Sequence, residues 1–185
     1  MSTSYDLSSA YEGIFTNISW YNNHSQTEMR YLKALHFLKK YNVLSVLDIG
    51  SGRGNFLRLI KNNYDTIFIN SCDFKNFHNL DFVEHYDADI RIDVPAIKTD
   101  IVTCLDVLEH LPKDDIDAAI ANMKKIAKFF VFSVSNHSDV IDGKELHLTQ
   151  INFENWKNLI NPHCNIDDSL EVGVTYFFCG EFKLP

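Results

Sequence analysis

Val46-Leu47-Asp48-Ile49-Gly50-Ser51-Gly52-Arg53-Gly54-Asn55-Phe56 is the stretch whose reading decides the fold. The apolar run over residues 43–47, broken only by Ser45, has the pattern of a strand buried on both faces. It runs into Asp48, three glycines follow at alternate positions, and Phe56, Leu57, Leu59 and Ile60 then space apolar side chains for one face of a helix. Strand, glycine turn and helix in this order predict the first unit of a doubly wound α/β domain, whose ligands bind beyond the carboxyl ends of the strands. A dinucleotide fold would use G-x-G-x-x-G to seat a pyrophosphate on bare amides. Here the pattern is D-x-G-x-G-x-G, and Asp48 puts negative charge where a pyrophosphate would lie. That disfavours nucleotides and suits a ligand with a cationic head and no phosphate.

The flanking chain continues the alternation. Residues 1–25 are polar and aromatic without periodicity, and residues 28–41 turn helical, with Met29, Leu32, Leu35 and Leu38 opposite Lys33, Lys39 and Lys40. After the first unit, Asn62-Asn63 interrupts the pattern and residues 66–73 form a second strand ending in Asp73. Residues 74–80 are too few for a full crossover helix, so a single turn or a loop is expected before a short strand at 82–86. Residues 100–105 read as a fourth buried strand, and Asp114 as the N-cap of a helix carrying Ile116, Ala119, Ile120 and Met123. A fifth strand at 129–134, a helix bearing Phe153 and Trp156, and two closing strands at 165–171 and 174–183 complete the expectation. It is an α/β fold with a doubly wound, mostly parallel seven-stranded sheet and helices on both faces, one late strand being inserted antiparallel.

Composition narrows the function classes. The chain has 185 residues, of which 45% are hydrophobic, enough for one domain that buries roughly 70% of its unfolded surface. No apolar run approaches the ~20 residues of a membrane span, and the first residues carry neither a basic nor an apolar region, so a cytoplasmic protein is expected. With 17 basic against 25 acidic residues and a net charge of -8, a broad nucleic-acid surface is disfavoured, because phosphate binding requires clustered Lys and Arg. Cys72, Cys104, Cys164 and Cys179 are widely spaced without a C-x-x-C, which predicts buried thiols rather than disulfides or a zinc site.

Asp48 to Gly54 resembles motif I of the class I S-adenosylmethionine-dependent methyltransferases without a gap. Asp100-Ile101-Val102-Thr103-Cys104-Leu105-Asp106-Val107-Leu108-Glu109-His110-Leu111-Pro112 resembles motif IV of ubiquinone-pathway-like and related small-molecule methyltransferases. The resemblance covers about residues 40–185, with residues 1–40 as a helical arm or lid and 41–185 as the cofactor-binding domain. It implies S-adenosylmethionine as cofactor and S-adenosylhomocysteine as product. Asp48, Gly50, Gly52 and Gly54 would form the cofactor bed, and Asp73, roughly 20 positions past the glycine turn, would hold the ribose. In Asp87-Ala88-Asp89-Ile90, Asp89 is assigned to the adenine amino group, with Asp87 as fallback. Asp106 would lie beside the methionine portion. Arg30, with Trp20, could meet the methionine carboxylate, since an Arg clamps a carboxylate bidentately.

Methyl transfer from a sulfonium is mainly a matter of holding donor and nucleophile in line, but a hydroxyl acceptor also needs its proton removed. His110 and His147 lie in loops after strand ends and are the candidate general bases, with His137 third. The expected activity is therefore O-methylation of a small-molecule acceptor. A sharper arrangement is also present: Asp106, Glu109 and His110 stand at i, i+3 and i+4 and, with His147, would suit Mg2+ or Mn2+. That set resembles the metal site of small-RNA 2′-O-methyltransferases. The same D-V-L-E-H-L-P phrase is common in enzymes that use no metal, and the metal-free reading is preferred. The alternatives are thus a metal-assisted RNA ribose 2′-O-methyltransferase and a non-catalytic cofactor-binding scaffold.

Overall fold

A computed structural model describes residues 25–183. Trp20 and the aromatic residues before it lie outside the described residues. The chain runs α1 (Ser25–Tyr41), β1 (Ser45–Ile49), α2 (Asn55–Asn63), β2 (Phe68–Asp73), β3 (Glu84–Asp87) and β4 (Thr99–Leu105). A 3-10 turn (Leu108–His110) then leads to α3 (Lys113–Lys124), β5 (Ala127–Ser135), β6 (Val140–Ile141), β7 (Lys144–Glu145), α4 (Phe153–Ile160), β8 (Cys164–Val172) and β9 (Thr175–Phe182).

Seven strands form one sheet in the order β3-β2-β1-β4-β5-β9-β8. The pairs β1–β2, β1–β4, β2–β3 and β4–β5 are parallel, while β9 runs antiparallel to both neighbours. This is the doubly wound sheet with one inserted antiparallel strand that the sequence predicts. Side chains alternate across it. Leu47, Val102, Phe130, Phe132 and Phe178 pack with α3 and α4 on one face, and Val46, Ile69, Ile101, Val131 and Phe177 pack with α1 and α2 on the other. Both faces are covered, so the central strands are near-continuous apolar runs. The parallel strands end in a row at Ile49, Asp73, Asp87, Leu105 and Ser135, the edge beyond which sheets of this kind bind their ligands.

Some local expectations shift. The third strand begins at Glu84 rather than Phe82 and extends to Asp87, because its register places Asp87 opposite Asp73. No helix forms in residues 74–82; Asn76 Oδ1 instead accepts from the His78 and Asn79 amides, an Asx-type turn that competes with helix. Helix α3 begins at Lys113 with Pro112 at the cap position, so Asp114 sits in the first turn and not at the N-cap. Asp142 and Gly143, both at positive φ, make the two-residue turn joining β6 to β7, the Asp-Gly signature of a type I′ hairpin. All four cysteines are free and buried. Among the described residues, no helix is long and apolar enough to cross a membrane.

Candidate active site

The glycine turn is built by backbone conformations that only glycine adopts readily. Gly50, Gly52 and Gly54 have φ of 71°, 48° and 72°. A Cβ on Gly50 would collide with the Val107 side chain, and one on Gly54 would stand 2.9 Å from His78 Cβ and 2.8 Å from Leu80 Cδ1. The turn is hooked to β2: Gly50 N donates to the Cys72 carbonyl at 2.8 Å, and Gly52 N donates to Asp73 Oδ2 at 2.8 Å. Helix α2 starts directly after Gly54 with no side-chain cap, and the Ser51 hydroxyl is buried without a protein partner.

Three carboxylates surround this turn. Asp48 is 4% exposed, and its Oδ1 accepts from Thr103 Oγ1 at 2.6 Å, a pairing set by the β1–β4 register. Burial pushes the carboxyl up to about 7, with Thr103 opposing and Asp73 adding to the shift. Asp73 accepts from Gly52 N through Oδ2 and from Phe74 N through Oδ1. Burial raises it as well, while those two amides hold it down. Asp106, just past β4, takes a positive φ of 56°. Its Oδ1 accepts from Ser133 Oγ at 2.8 Å, and its Oδ2 pairs with Arg30 Nη1 of α1. Tyr31, the next residue of α1, lies against Phe56 with ring centroids 5.3 Å apart. Its phenol is pushed above its ordinary range by burial first, then by Asp48 and Asp106.

The donor set fits S-adenosylmethionine. A carboxyl held up by burial is relieved by a positively charged ligand, and Asp48 and Asp73 flank a turn held in one conformation by its glycines and its bonds to β2. Asp48, the three glycines and Asp73 would hold the nucleoside and sulfonium portions. Arg30, expected at the cofactor's carboxylate, is paired with Asp106. Asp89, expected at adenine, is gripped by Arg91, whose Nε and Nη2 donate to Oδ1 at 2.9 Å and Oδ2 at 2.6 Å. A role toward adenine therefore requires Arg91 to share that carboxylate. Asp87 accepts from His85 Nε2 at 3.0 Å.

Beside Asp106, the 3-10 turn and the loop over residues 136–149 bring Glu109, His110 and His147 together, one ligand atom of each lying within 4.8 Å of the others. These are three of the four residues grouped from the sequence; the fourth, Asp106, is outside this set, its oxygens engaged by Ser133 and Arg30. Glu109 is wholly buried. Its Oε1 accepts from Ser135 N at 2.7 Å, while Oε2 has no protein partner. Burial first, and then the Asp106 charge, hold its carboxyl well above the usual range. His110 donates from Nδ1 to the Leu146 carbonyl at 3.0 Å. Burial and the neighbouring His147 push it down to about 4, with hydrogen bonds to backbone carbonyls opposing. His147 donates from Nδ1 to the His137 carbonyl at 2.6 Å, leaving Nε2 as the lone-pair nitrogen, 4.0 Å from Asp139. Burial lowers it too. Both rings are thus neutral near pH 7.

Sequence reasoning missed the groups that fix this loop. Glu145 Oε1 accepts from Asp139 N at 2.8 Å and His147 N at 2.9 Å, and Thr149 N donates to the Glu109 carbonyl at 2.9 Å. Ser133 and Ser135 were also unassigned. Two serines alternating at the end of the apolar run Phe129 to Val134 were the available signal, since small polar residues at a buried strand end have to meet a partner.

Against known proteins, the family described as "Methyltransferase domain" matches residues 21–172. Among solved structures, the chain resembles the N-methyltransferase NodS from Bradyrhizobium japonicum in complex with S-adenosyl-l-homocysteine, with a TM-score of 0.72 and 14% identity over 94% of this chain and 97% of that one. It also resembles a S-adenosylmethionine-dependent methyltransferase from Clostridium acetobutylicum, with a TM-score of 0.69 and 13% identity over 94% and 98% of the two chains. The mitomycin 7-O-methyltransferase MmcR gives a TM-score of 0.68 and 11% identity over 86% of this chain and 55% of that one. No curated protein sequence matches at a significant level.

Proposed function

The chain belongs to the methyltransferase-domain family, within the class I S-adenosylmethionine-dependent superfamily, and on that premise we propose that it O-methylates a small-molecule acceptor with His147 as general base. The bound cofactor supplies an electrophilic methyl group on a sulfonium. What the chain must add is alignment and, for a hydroxyl acceptor, removal of one proton. Asp48, Gly50, Gly52, Gly54 and Asp73 bind and orient the donor, and Asp106, locked by Arg30 and Ser133, keeps the carboxyl end of β4 in place beside it. The observation that carries the base assignment is His147 itself: a neutral imidazole, 5% exposed, with its Nδ1 proton fixed on the His137 carbonyl and Nε2 left to accept. His110, with Nδ1 tied to Leu146, supports the second ring edge-on at 4.7 Å between centroids. The structural relatives include N- and O-methyltransferases, so the acceptor atom is the part under test. Label transfer from S-adenosylmethionine to matched phenol, alcohol and amine panels tests it. Preference for hydroxyl acceptors, lost in His147→Ala, is expected; preference for amines that survives His147→Ala would sink the proposal.

A second reading is favoured by one observation, the buried Glu109 Oε2 with no protein partner beside two neutral imidazoles. One carboxylate and two histidines would hold a divalent ion, with Mn2+ suited better than Mg2+ to two nitrogen ligands. Such an ion would act as a Lewis acid toward an acceptor hydroxyl, including a ribose 2′-hydroxyl of RNA. The net charge of -8 weighs against a nucleic-acid acceptor. Calorimetric titration with Mn2+ decides: saturable binding abolished in Glu109→Gln supports the ion, and no heat at millimolar Mn2+, with or without S-adenosylhomocysteine, removes it.

A further inference from the structure

The loop over residues 74–82 joins β2 to β3 where a crossover helix would normally stand, and a chain of polar groups beneath it is used by no step above. Leu80 N donates to His78 Nδ1 at 3.1 Å. That fixes the His78 proton on Nε2, which donates to Ser71 Oγ at 3.0 Å. The Ser71 hydroxyl then donates to His85 Nδ1 at 2.7 Å, and His85 Nε2 donates to Asp87 Oδ1 at 3.0 Å. Only this order satisfies every member. Ser71 is fully buried, so the Ser–His–Asp sequence cannot meet a substrate and is no hydrolytic triad.

Its position is informative. Ser71 and Asp73 are two apart on β2 and point to the same face of the sheet, and Ser71 pairs in register with Asp48 on one side and His85 on the other. His78 lies against Gly54: a Cβ there would stand 2.9 Å from His78 Cβ. The relay therefore draws the loop that follows Asp73 back under the glycine turn whose Gly52 N holds the Asp73 carboxylate. The groups facing His78 are His85, Arg58 of α2 and, through His85, Asp87; His85 and Arg58 both oppose a positive charge on the ring.

We propose that Ser71 and His78 are positioning residues for the cofactor, clamping residues 74–80 against Gly54 so that the glycine turn and the Asp73 carboxylate keep one fixed relation. The assignment rests on the reading of Asp73 and the glycine turn as the cofactor bed. Phe74 and Leu80 pack against the core at either end of this seven-residue stretch, and the relay holds the polar part between them. With it, the stretch is tied to the strand beside the ribose carboxylate.

The test is calorimetric titration with S-adenosylhomocysteine on the wild type, Asp73→Ala, Ser71→Ala, His78→Ala, His78→Gln and the Ser71→Ala/Asp73→Ala pair, each checked for folding by thermal unfolding. Asp73→Ala must weaken binding; if it does not, the cofactor-bed reading fails and this one with it. Given that loss, Ser71→Ala and His78→Ala are each expected to weaken binding about tenfold, the worth of one lost hydrogen bond. His78→Gln, which keeps a donor toward Ser71, recovers most of it. The double variant should bind within about twofold of Asp73→Ala, since coupled sites are not additive. Affinities within twofold of wild type for Ser71→Ala and His78→Ala, or losses that add fully in the double variant, would overturn the proposal and leave the cofactor bed standing. Should Ser71→Ala not fold, nitrogen-15 spectra of the wild-type histidines still decide. His78 in the Nε2–H form supports the relay, and the Nδ1–H form excludes it.

Discussion

Arg30 and Asp106, 76 positions apart in the sequence, form the ion pair that ties α1 to the carboxyl end of β4. Asp106 sits in a left-handed conformation, and its other oxygen is held by Ser133. The pair thus adds a polar tie at the carboxyl end of β4 to the apolar packing of α1 on the sheet. The side chains are 17% and 23% exposed, between the surface and buried limits for such pairs. Arg30→Ala is expected to cost about 1–2 kcal/mol, with Arg30→Lys recovering part through charge but not through the planar fork. Urea denaturation in low and high salt checks this. A deficit that persists unchanged at high salt would mean that packing of the Arg30 stem dominates.

Gly50 separates two costs that usually arrive together. Alanine at position 50 must adopt a φ of 71° and also meets the Val107 side chain. The conformational part is about 1–2 kcal/mol, and the collision adds to it. Val107→Ala in the Gly50→Ala background should therefore restore the steric share and no more. Urea midpoints of the two single variants and the double variant measure the split. Complete restoration by Val107→Ala would show that the left-handed backbone is not needed.

The succession of strands and helices, the two-sided core and the carboxyl-end carboxylates were legible because each rests on a local pattern. Alternating apolar runs define buried strands, and D-x-G-x-G-x-G can only be a tight strand-to-helix turn. What escaped depends on registers that no local pattern carries. Thr103 meets Asp48 because β4 pairs with β1 one way and not two residues off. Arg91 meets Asp89 and Asp115 because α3 packs over the loop after β3. The His110–His147 contact was anticipated from loop positions alone, whereas the partners of Asp106, Arg30 and Ser133, lie far away in sequence. Besides the alternating serines, a second signal was present and unused, the Asp142-Gly143 dipeptide that closes the β6–β7 hairpin.

Glu109 gives a prediction with opposite signs in two solutions. Its carboxyl is fully buried and held far above the usual range by burial and by Asp106, and one oxygen has no protein partner. Glu109→Gln keeps an oxygen for Ser135 N and removes the ionisable group. In chelator near neutral pH, the variant is expected to be as stable as the wild type or more so, since a carboxyl that the folded chain holds above its ordinary range costs stability there. With Mn2+ at a hundredfold its Kd, the wild type should gain about 2.7 kcal/mol by mass action, and the variant should gain nothing. Thermal unfolding in the two buffers measures both. A variant markedly less stable in chelator would mean that the carboxyl has a partner the static contacts do not reveal.

The pH dependence of stability follows from rings and carboxyls displaced in opposite directions. His78 and His110 are each pushed down to about 4, burial being the main cause. For such a ring the unfolded chain binds the proton first, at about 6.5, so stability is lost as pH falls from there toward 4. Asp48, raised to about 7 by burial, acts the other way. The folded chain keeps that proton, so its contribution is present at low pH and lost as pH rises through about 7. Because these opposing effects overlap, the wild-type curve alone does not isolate either, but a difference curve does. His78→Gln removes one ring, so between about pH 6.5 and 4 the wild type should lose stability more steeply than the variant. The excess slope is bounded by one proton, about 1.4 kcal/mol per pH unit. Urea unfolding of both proteins at pH 6.5, 5.5 and 4.5 gives the comparison. Parallel curves would mean that His78 titrates alike in the folded and unfolded chains, which its burial against Gly54 and its hydrogen bonds to Leu80 and Ser71 do not permit.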